Sequence, residues 1–318
     1  MKKSWEELER PLEQLELQIA GLRALMASSK ADHTADIERL EAARDEVLIK
    51  IFKDLDAYDR VLLARHPRRP YTLDYVNALF DDFIELHGDR RYGDDGALIG
   101  GLAKYEGKGC VVIGHQKGRT TKERQFRNFG SAKPEGYRKA IRLVNLAERL
   151  KLPVFSFVDT PASDCLQEAE ERGISQAIAE CQLIMARARI PIIVTVIGEG
   201  GSGGAIGIAV GNTVMMQEFA VYSVIPPESC ASIIFRDNSR AGEAAELLKL
   251  TANDALSFGV VDEIIKEPLG GAHRDFLGAS KLLKPRLTSA LKALAGQDGE
   301  ALVEQRYQRF RKLGEWAE

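Results

Sequence analysis

The strongest chemical signal in the chain is a glycine cluster at residues 198–204, which directly follows a run of apolar, β-branched residues at 192–197. That run is typical of a buried strand. A short apolar stretch at residues 205–210 comes next, so we expect a helix that begins near Ser202 or Gly203. The first N–H groups of a helix have no intrahelical acceptor, and an anionic oxygen can reach them where side chains are missing. The cluster therefore predicts a site that stabilises negative charge.

Three structures are compatible with such a cluster. A flexible linker is disfavoured because the glycines lie between two apolar segments rather than polar ones. A dinucleotide-binding loop is a second hypothesis, since Gly198, Gly200 and Gly203 satisfy G-x-G-x-x-G and Glu218 has the spacing of a ribose-binding acid. The helix that follows would, however, be short and apolar on all sides. We favour the third, an oxyanion hole in which two adjacent backbone amides face a developing anion.

Composition and charge exclude several classes of protein. With 318 residues and a formal net charge of -3, the chain is not expected to be a general nucleic-acid binder. It contains no apolar run of membrane-spanning length and no signal-peptide core, so we expect a cytoplasmic protein that does not enter the membrane. The cysteines and histidines are scattered without ligand spacing, which predicts no metal site in this chain and no disulfide framework.

The elements that must position the glycine cluster follow from periodicity. Residues 4–63 are charged and leucine-rich with helical spacing, which predicts a helical hairpin with a bend at 27–34. From residue 66 strands and helices alternate, which predicts an α/β domain. Strands are predicted at 97–105, 110–116, 154–158, 192–197, 213–217, 220–224 and 261–265. Helices are predicted from Thr72 or Pro70 and at 134–150, 168–188, 229–235, 242–248 and 252–258, followed by a helical tail at 279–313. We predict three parts: a hairpin at 1–65, a main domain at 66–278 and a helical tail at 279–318.

Five segments, in order along almost the whole chain, carry a specific resemblance. They are RPYTLDY (69–75), GHQKGR (114–119), PEGYRKA (134–140), VIGEGGSGGA (196–205) and EPLGGAHR (267–274). The chain resembles the family of alpha subunits of the bacterial acetyl-CoA carboxylase carboxyltransferase. The resemblance implies a crotonase-like fold, a spiral of β-β-α units, and an assembly of two alpha and two beta chains. In that family the beta subunit carries a zinc ribbon and most of the acyl-CoA site.

The resemblance also implies a reaction. A carboxyl group moves from carboxybiotin, held on the biotin carboxyl carrier protein, to acetyl-CoA and forms malonyl-CoA, the first committed step of fatty acid synthesis. Such an enzyme must stabilise two oxyanions in a water-poor crevice, so a catalytic triad is not required. We expect this chain to be active only together with its beta subunit.

By the same resemblance, the alpha subunit serves the biotin side of the site. We predict that the backbone amides of Gly203 and Gly204 are the catalytic donors to the ureido oxygen. The predicted carboxybiotin-side pocket around them consists of Gly200, Gly201, Ser202, Pro161, Ala162 and Ser163. The basic residues Lys117, Arg119, Lys122 and Arg124 are candidate contacts for the CoA phosphates or the acidic carrier. A solvated loop that pairs with acidic residues of the partner subunit is the alternative for this stretch.

One loop departs from the family pattern. After Asp-Thr-Pro the family reads Gly-Ala-Tyr-Pro-Gly, whereas this chain has Ala-Ser-Asp-Cys-Leu at residues 162–166. A side chain that replaces a glycine at positive φ costs about 1–2 kcal/mol, and Asp164 would place a negative charge near the forming anion. Two alternatives to an active carboxyltransferase therefore remain. One is a diverged paralogue with weak activity, an assembly role or another acyl-CoA acceptor, and the other is an NAD-binding module.

Overall fold

The computed structural model describes residues 4–28 and 32–314, and the middle of the predicted bend and the last four residues lie outside them. The helices are α1 (Trp5–Ser28), α2 (Thr34–Lys53), α3 (Ala57–Ala64), α4 (Thr72–Leu79), α5 (Thr121–Phe126), α6 (Pro134–Leu150), α7 (Gln167–Glu171), α8 (Ile174–Arg187), α9 (Ser202–Ile206), α10 (Pro227–Ile234), α11 (Ala241–Leu248), α12 (Ala252–Ser257), α13 (Phe276–Leu294) and α14 (Gly299–Arg311). The strands are β1 (Asp81–Glu85), β2 (Leu98–Tyr105), β3 (Lys108–His115), β4 (Val154–Thr160), β5 (Ile192–Gly201), β6 (Thr213–Gln217), β7 (Val221–Ser223) and β8 (Glu263–Ile265).

The strands form one sheet in the order β1-β2-β3-β4-β5-β6-β8, with β7 attached to the end of β5. The first three strands are antiparallel, and β3 through β8 run parallel to their neighbours. The last residues of β5 leave β6 and pair with β7, where Glu199 lies opposite Val221 and Gly201 opposite Ser223. The end of β4 follows β5 to this point, since Thr160 pairs with Gly200. The carboxyl ends of β4 and β5 thus meet at the glycine cluster.

The central strands β4 and β5 are buried on both faces, as is usual for parallel strands that are covered by helices. Successive side chains of β4 alternate between two cores. Val154 and Val158 pack with residues of α6 and α8, and Phe155 and Phe157 pack with residues of α4 and α13. This double cover explains why β4 and β5 are continuous apolar runs, and it holds their carboxyl ends on a rigid support.

The predicted helical hairpin at the start of the chain is observed as α1 and α2. Leu12, Leu48 and Phe52 of the hairpin pack against Leu63 and Phe219. The predicted helical tail consists of two helices, α13 and α14, separated at residues 295–298. None of the described helices is both long and apolar enough to cross a membrane. The division at residues 65 and 278 stays a prediction.

Several local predictions differ from the structure. The predicted helix at 168–188 is broken into α7 and α8 at Gly173, whose φ is +78°. The helix after the glycine cluster ends at Ile206, so residues 207–210 are not helical. Strand β1 was not predicted because its residues are mostly exposed and lack a clear apolar alternation. Helix α5 was not predicted either, although Thr120 and Glu123 form a capping box at its start.

Candidate active site

The glycine cluster spans a sharp turn from strand to helix. Strand β5 ends at Gly201, and Ser202, the first residue of α9, has a φ of 47°. Residues other than glycine rarely adopt this left-handed conformation, and those that do are concentrated at functional sites. Among the described residues, the N–H groups of Gly203 and Gly204 donate to no protein acceptor. The carbonyl of Gly203 accepts from the N–H of Gly207 at 3.2 Å, so the Gly204 N–H of the same peptide unit is directed away from the body of the helix.

The Asp-Thr-Pro loop lies directly against this turn. A Cβ on Gly204 would be 2.5 Å from the Ser163 nitrogen and 2.6 Å from the Ala162 carbonyl carbon. A Cβ on Gly201 would be 1.9 Å from the Pro161 oxygen. Glycine is required at both positions because two stretches of backbone touch there. The structure thus brings the predicted pocket residues of both segments together, and their roles stay predictions.

Tyr137 of α6 contacts the turn. Its buried hydroxyl donates to the carbonyl of Gly204 at 3.1 Å. On the other side, Ser202 and Gly203 line an open apolar cleft of about 1140 Å³, whose wall also includes the exposed side chains of Val224 and Phe258. Gly203 therefore lies at the wall of an apolar cleft, and Gly204, the next residue, is buried behind it.

The altered loop is accommodated without left-handed backbone. None of residues 162–166 has a positive φ, so the condition for the expected glycine strain is not met. The carboxylate of Asp164 accepts from the N–H of Leu166 at 3.0 Å and from the side-chain amide of Asn128 at 3.1 Å. The backbone N–H of Asp164 donates to the carbonyl of Ala132 at 2.9 Å. Both carboxylate oxygens are thus used in holding the loop to its neighbours.

The basic stretch does not act as one surface. Lys117 is half-buried, with its side chain 13% exposed, and its Nζ lies 2.7 Å from Asp159 Oδ1 and 2.9 Å from Glu199 Oε1. Its ammonium thus already has two internal carboxylate partners, and its predicted contact with CoA or the carrier stays a prediction.

The other three basic residues are exposed. Arg119 pairs with Asp74 at 2.7 Å and lies over the ring of Tyr71, 4.7 Å from its centroid. Arg124 donates to the carbonyl of Gly118 at 3.3 Å, and Lys122 is exposed on α5. These three side chains remain accessible to a ligand or partner, and their role stays a prediction.

Lys117 belongs to a charge network beside the glycine turn. Arg65 Nε contacts Glu199 Oε2, and its NH1 contacts Glu228 Oε1, both at 2.7 Å. The hydroxyl of Tyr58 donates to Glu228 at 3.0 Å. Burial opposes the ionisation of Glu199, but Lys117 and Arg65 overcome it and lower the pKa of Glu199 to about 2. Burial likewise opposes the charge of Lys117, whose pKa is nevertheless raised by the two carboxylates. No local pattern predicts this network, because its members come from distant parts of the chain.

His115 lies under the turn but has no catalytic partner. It is fully buried, and neither ring nitrogen has a hydrogen-bond partner among the described residues. Burial, with the charge of Lys117, lowers the pKa of His115 to about 3, against a smaller opposing effect of the Gly204 backbone. The imidazole is therefore neutral at ordinary pH.

A second cluster has the residue types of a metal site. Glu9, His66 and His273 are buried, and each offers one ligand atom within 4.8 Å of the others. However, Nδ1 of His66 accepts the N–H of Arg68 at 3.1 Å, which places the ring proton on Nε2 and leaves no lone pair for a metal. Arg68 and Arg274 also pair with Glu9. The donor set does not suit a cation, and the cluster anchors α1 to the main domain.

Comparison with known proteins decides the family. The sequence model described as "Acetyl co-enzyme A carboxylase carboxyltransferase-like" matches residues 5–314. The chain belongs to this family. The carboxyltransferase-like chain is 51% identical over 318 residues to the acetyl-coenzyme A carboxylase carboxyl transferase subunit alpha of Bordetella pertussis, covering 100% of this chain and 99% of that one. It is also 51% identical to the subunit of the same name from Burkholderia vietnamiensis, covering 100% and 98%. The predicted resemblance is confirmed.

Solved structures share the fold of this carboxyltransferase-like chain. Transcarboxylase 12S with methylmalonyl-coenzyme A bound has a TM-score of 0.59 at 19% identity, covering 74% of this chain and 44% of that one. A Pseudomonas malonate decarboxylase hetero-tetramer in complex with coenzyme A also gives 0.59, at 18% identity, covering 77% and 95%. The predicted crotonase-like α/β fold is confirmed.

The geometry of the glycine turn argues against the hypothesis of a dinucleotide-binding loop. The helix after the glycines has only 5 residues, so it lacks the length of a Rossmann helix. Glu218 is also engaged elsewhere, with Oε1 2.6 Å from Lys266 Nζ.

Proposed function

We propose that this chain is the alpha subunit of an acetyl-CoA carboxylase carboxyltransferase, which forms malonyl-CoA in the cytoplasm. The observation that carries the proposal is the pair of unpartnered N–H groups at Gly203 and Gly204, in a chain whose full-length relatives are subunits of that name. A diverged paralogue is the alternative, and the altered loop at 162–166 is its only support.

The residues present fit a group that develops negative charge on one oxygen. Two adjacent donors are free, and no side chain stands on Gly203 or Gly204 to obstruct them. When bound, carboxybiotin supplies the carboxyl group and the base for the methyl proton of acetyl-CoA. Gly203 and Gly204 would hydrogen-bond the ureido oxygen as it gains charge, and one such donor is typically worth about 10²–10³ in rate. The rigid turn keeps both donors oriented, so they need not reorganise during the reaction.

Partner chains would complete the site. The relatives are named as subunits, and here Ser202 and Gly203 face an open cleft with exposed apolar side chains such as Ile206 and Tyr307. A zinc-ribbon beta subunit that covers this cleft would exclude water and bring the acyl-CoA, in an assembly of two alpha and two beta chains. The biotin carboxyl carrier protein would deliver carboxybiotin. Arg119, Lys122 and Arg124 are available for CoA phosphates or for acidic groups of the carrier.

Reverse carboxyl transfer tests the proposal. The purified chain is mixed with the beta subunit of a close relative, malonyl-CoA and biocytin, and acetyl-CoA formation is followed. We expect turnover only when both chains are present, because neither contains the complete site. A well-formed complex without turnover would favour the diverged paralogue, and transfer with a different acyl-CoA would redefine the acceptor.

A further inference from the structure

Five ionisable side chains from separate segments meet beside the glycine turn. They are Arg65 after α3, Lys117 after β3, Asp159 in β4, Glu199 in β5 and Glu228 in α10. None of them belongs to the predicted pocket. Lys117 connects the ends of the two strands that carry the N–H donors and the Asp-Thr-Pro loop, and Arg65 connects Glu199 to Glu228.

Asp159 provides the direct connection between these strands. Its Oδ1 accepts from Lys117 Nζ at 2.7 Å and from the backbone N–H of Glu199 at 2.9 Å. A Cβ on Gly198 would lie 2.3 Å from the same oxygen, so the carboxylate occupies space that exists only because residue 198 is glycine. Gly198, the first glycine of the cluster, thus leaves the space that the Asp159 side chain occupies.

Burial raises the pKa of Asp159, and Lys117 opposes this as the counter-charge that also holds the carboxylate in place. The side chain of Asp159 is 1% exposed, and Lys117 is the one cation within ion-pair distance of it among the described residues. Lys117 also reaches Glu199, which Arg65 holds from the other side. Without Lys117, Asp159 would be a buried carboxylate lacking a counter-charge, and such groups recruit water or a proton or move outward. Any of these changes would displace the ends of β4 and β5.

We propose that Lys117 and Asp159 are positioning residues for carboxyl transfer, which set the orientation of the Gly203 and Gly204 N–H groups without touching the substrate. The chain runs without interruption from Glu199 through Gly200 and Gly201 into α9. A shift of the Asp159 contact therefore passes directly to the donors. This inference rests on the proposed function of the two amides.

A second buried ion pair on the same strand offers a matched control. Arg69 donates to the carbonyl of Ile197 at 2.7 Å and pairs with Glu267 at 2.6 Å, with both side chains fully buried. This pair anchors β5 before the glycine cluster and, among the described residues, forms no hydrogen bond or ion pair with the side chain of Asp159 or Glu199. Breaking it should lower stability without a specific effect on the donors.

The experiment measures reverse transfer from malonyl-CoA to biocytin by the assembled alpha–beta complex. We expect K117M to lower kcat about a hundredfold while KM for malonyl-CoA changes little, because a misplacement of about 1 Å costs that much. K117M/D159N should regain about tenfold or more of that loss, since asparagine keeps an acceptor for the Glu199 N–H and needs no counter-charge. E267Q should lower the thermal midpoint and leave kcat unchanged.

Three results would overturn the inference: wild-type kcat in K117M, no recovery in the double variant, or equal kcat losses in K117M and E267Q. If K117M does not assemble, the double variant decides. Turnover within about tenfold of wild type supports positioning, and background turnover contradicts it. A wild-type complex without any transfer would instead refute the proposed function, so the two failures are distinguishable.

Discussion

Replacement of Gly204 by alanine tests whether the close contact between α9 and the Asp-Thr-Pro loop holds the donors in place. The new methyl carbon would lie 2.5 Å from the Ser163 nitrogen and 2.6 Å from the Ala162 carbonyl carbon. Both are backbone atoms, so no side-chain rotation relieves the overlap. One of the two segments must move by about 1 Å to restore ordinary van der Waals distance.

The size of the effect follows from that displacement. Overpacking of a buried contact typically lowers the free energy of unfolding by about 1–3 kcal/mol. A donor displaced by about 1 Å costs roughly a hundredfold in rate. We therefore expect Gly204→Ala to reduce kcat of the assembled complex far more than its modest loss of stability would suggest.

Gly203→Ala is the matched comparison, because its methyl carbon would meet only Ile178 Cδ1 at 3.6 Å. That is an ordinary contact, so the N–H donors keep their positions and stability is expected to change by less than about 0.5 kcal/mol. The assay is reverse transfer from malonyl-CoA to biocytin, together with urea unfolding of each variant. If Gly204→Ala turned over as fast as wild type, the donors would not depend on this contact and the reasoning would be refuted.

Three further predictions concern the surroundings of the site. Asp164→Asn should leave kcat within about twofold, since the carboxylate is directed at donors of the loop itself, and the loss of one of its two contacts should lower stability instead; a severalfold gain in kcat would show that the charge acts on the anion. Because burial lowers the pKa of His115 to about 3, its stabilising effect is complete above its unfolded pKa near 6.5 and is lost as pH falls. Wild type should therefore lose unfolding free energy relative to His115→Leu by about 1.4 kcal/mol per pH unit as pH falls from 6 to 4.5, and a pH-independent difference would contradict this. Arg306 donates to carbonyls at the end of α8, so Arg306→Ala should cost about 3 kcal/mol in urea unfolding, whereas a loss no larger than that of the exposed Lys292→Ala would contradict it.

The strand, the glycine cluster and the helix start were predictable because each is a local property. Apolar β-branched residues specify a buried strand, and the strand ends where glycines follow them in the sequence. The approach of the Asp-Thr-Pro loop to the glycines was expected from the family resemblance, and the structure places Pro161 and Ala162 there. Helix α5 had a readable signal in its capping box, which the basic composition of the segment obscured.

The internal ion pairs of Lys117 were not predictable in this way. In a stretch with three other basic residues it resembles a solvated cation, and only contacts with Asp159 and Glu199, 42 and 82 residues away, show otherwise. The sequence by itself determined the fold class, the family and the position of the glycine turn, because those depend on residue types and short spacings. Tertiary structure alone decided which charges are buried together and which N–H groups stay free, because burial and pairing depend on segments that meet only after folding.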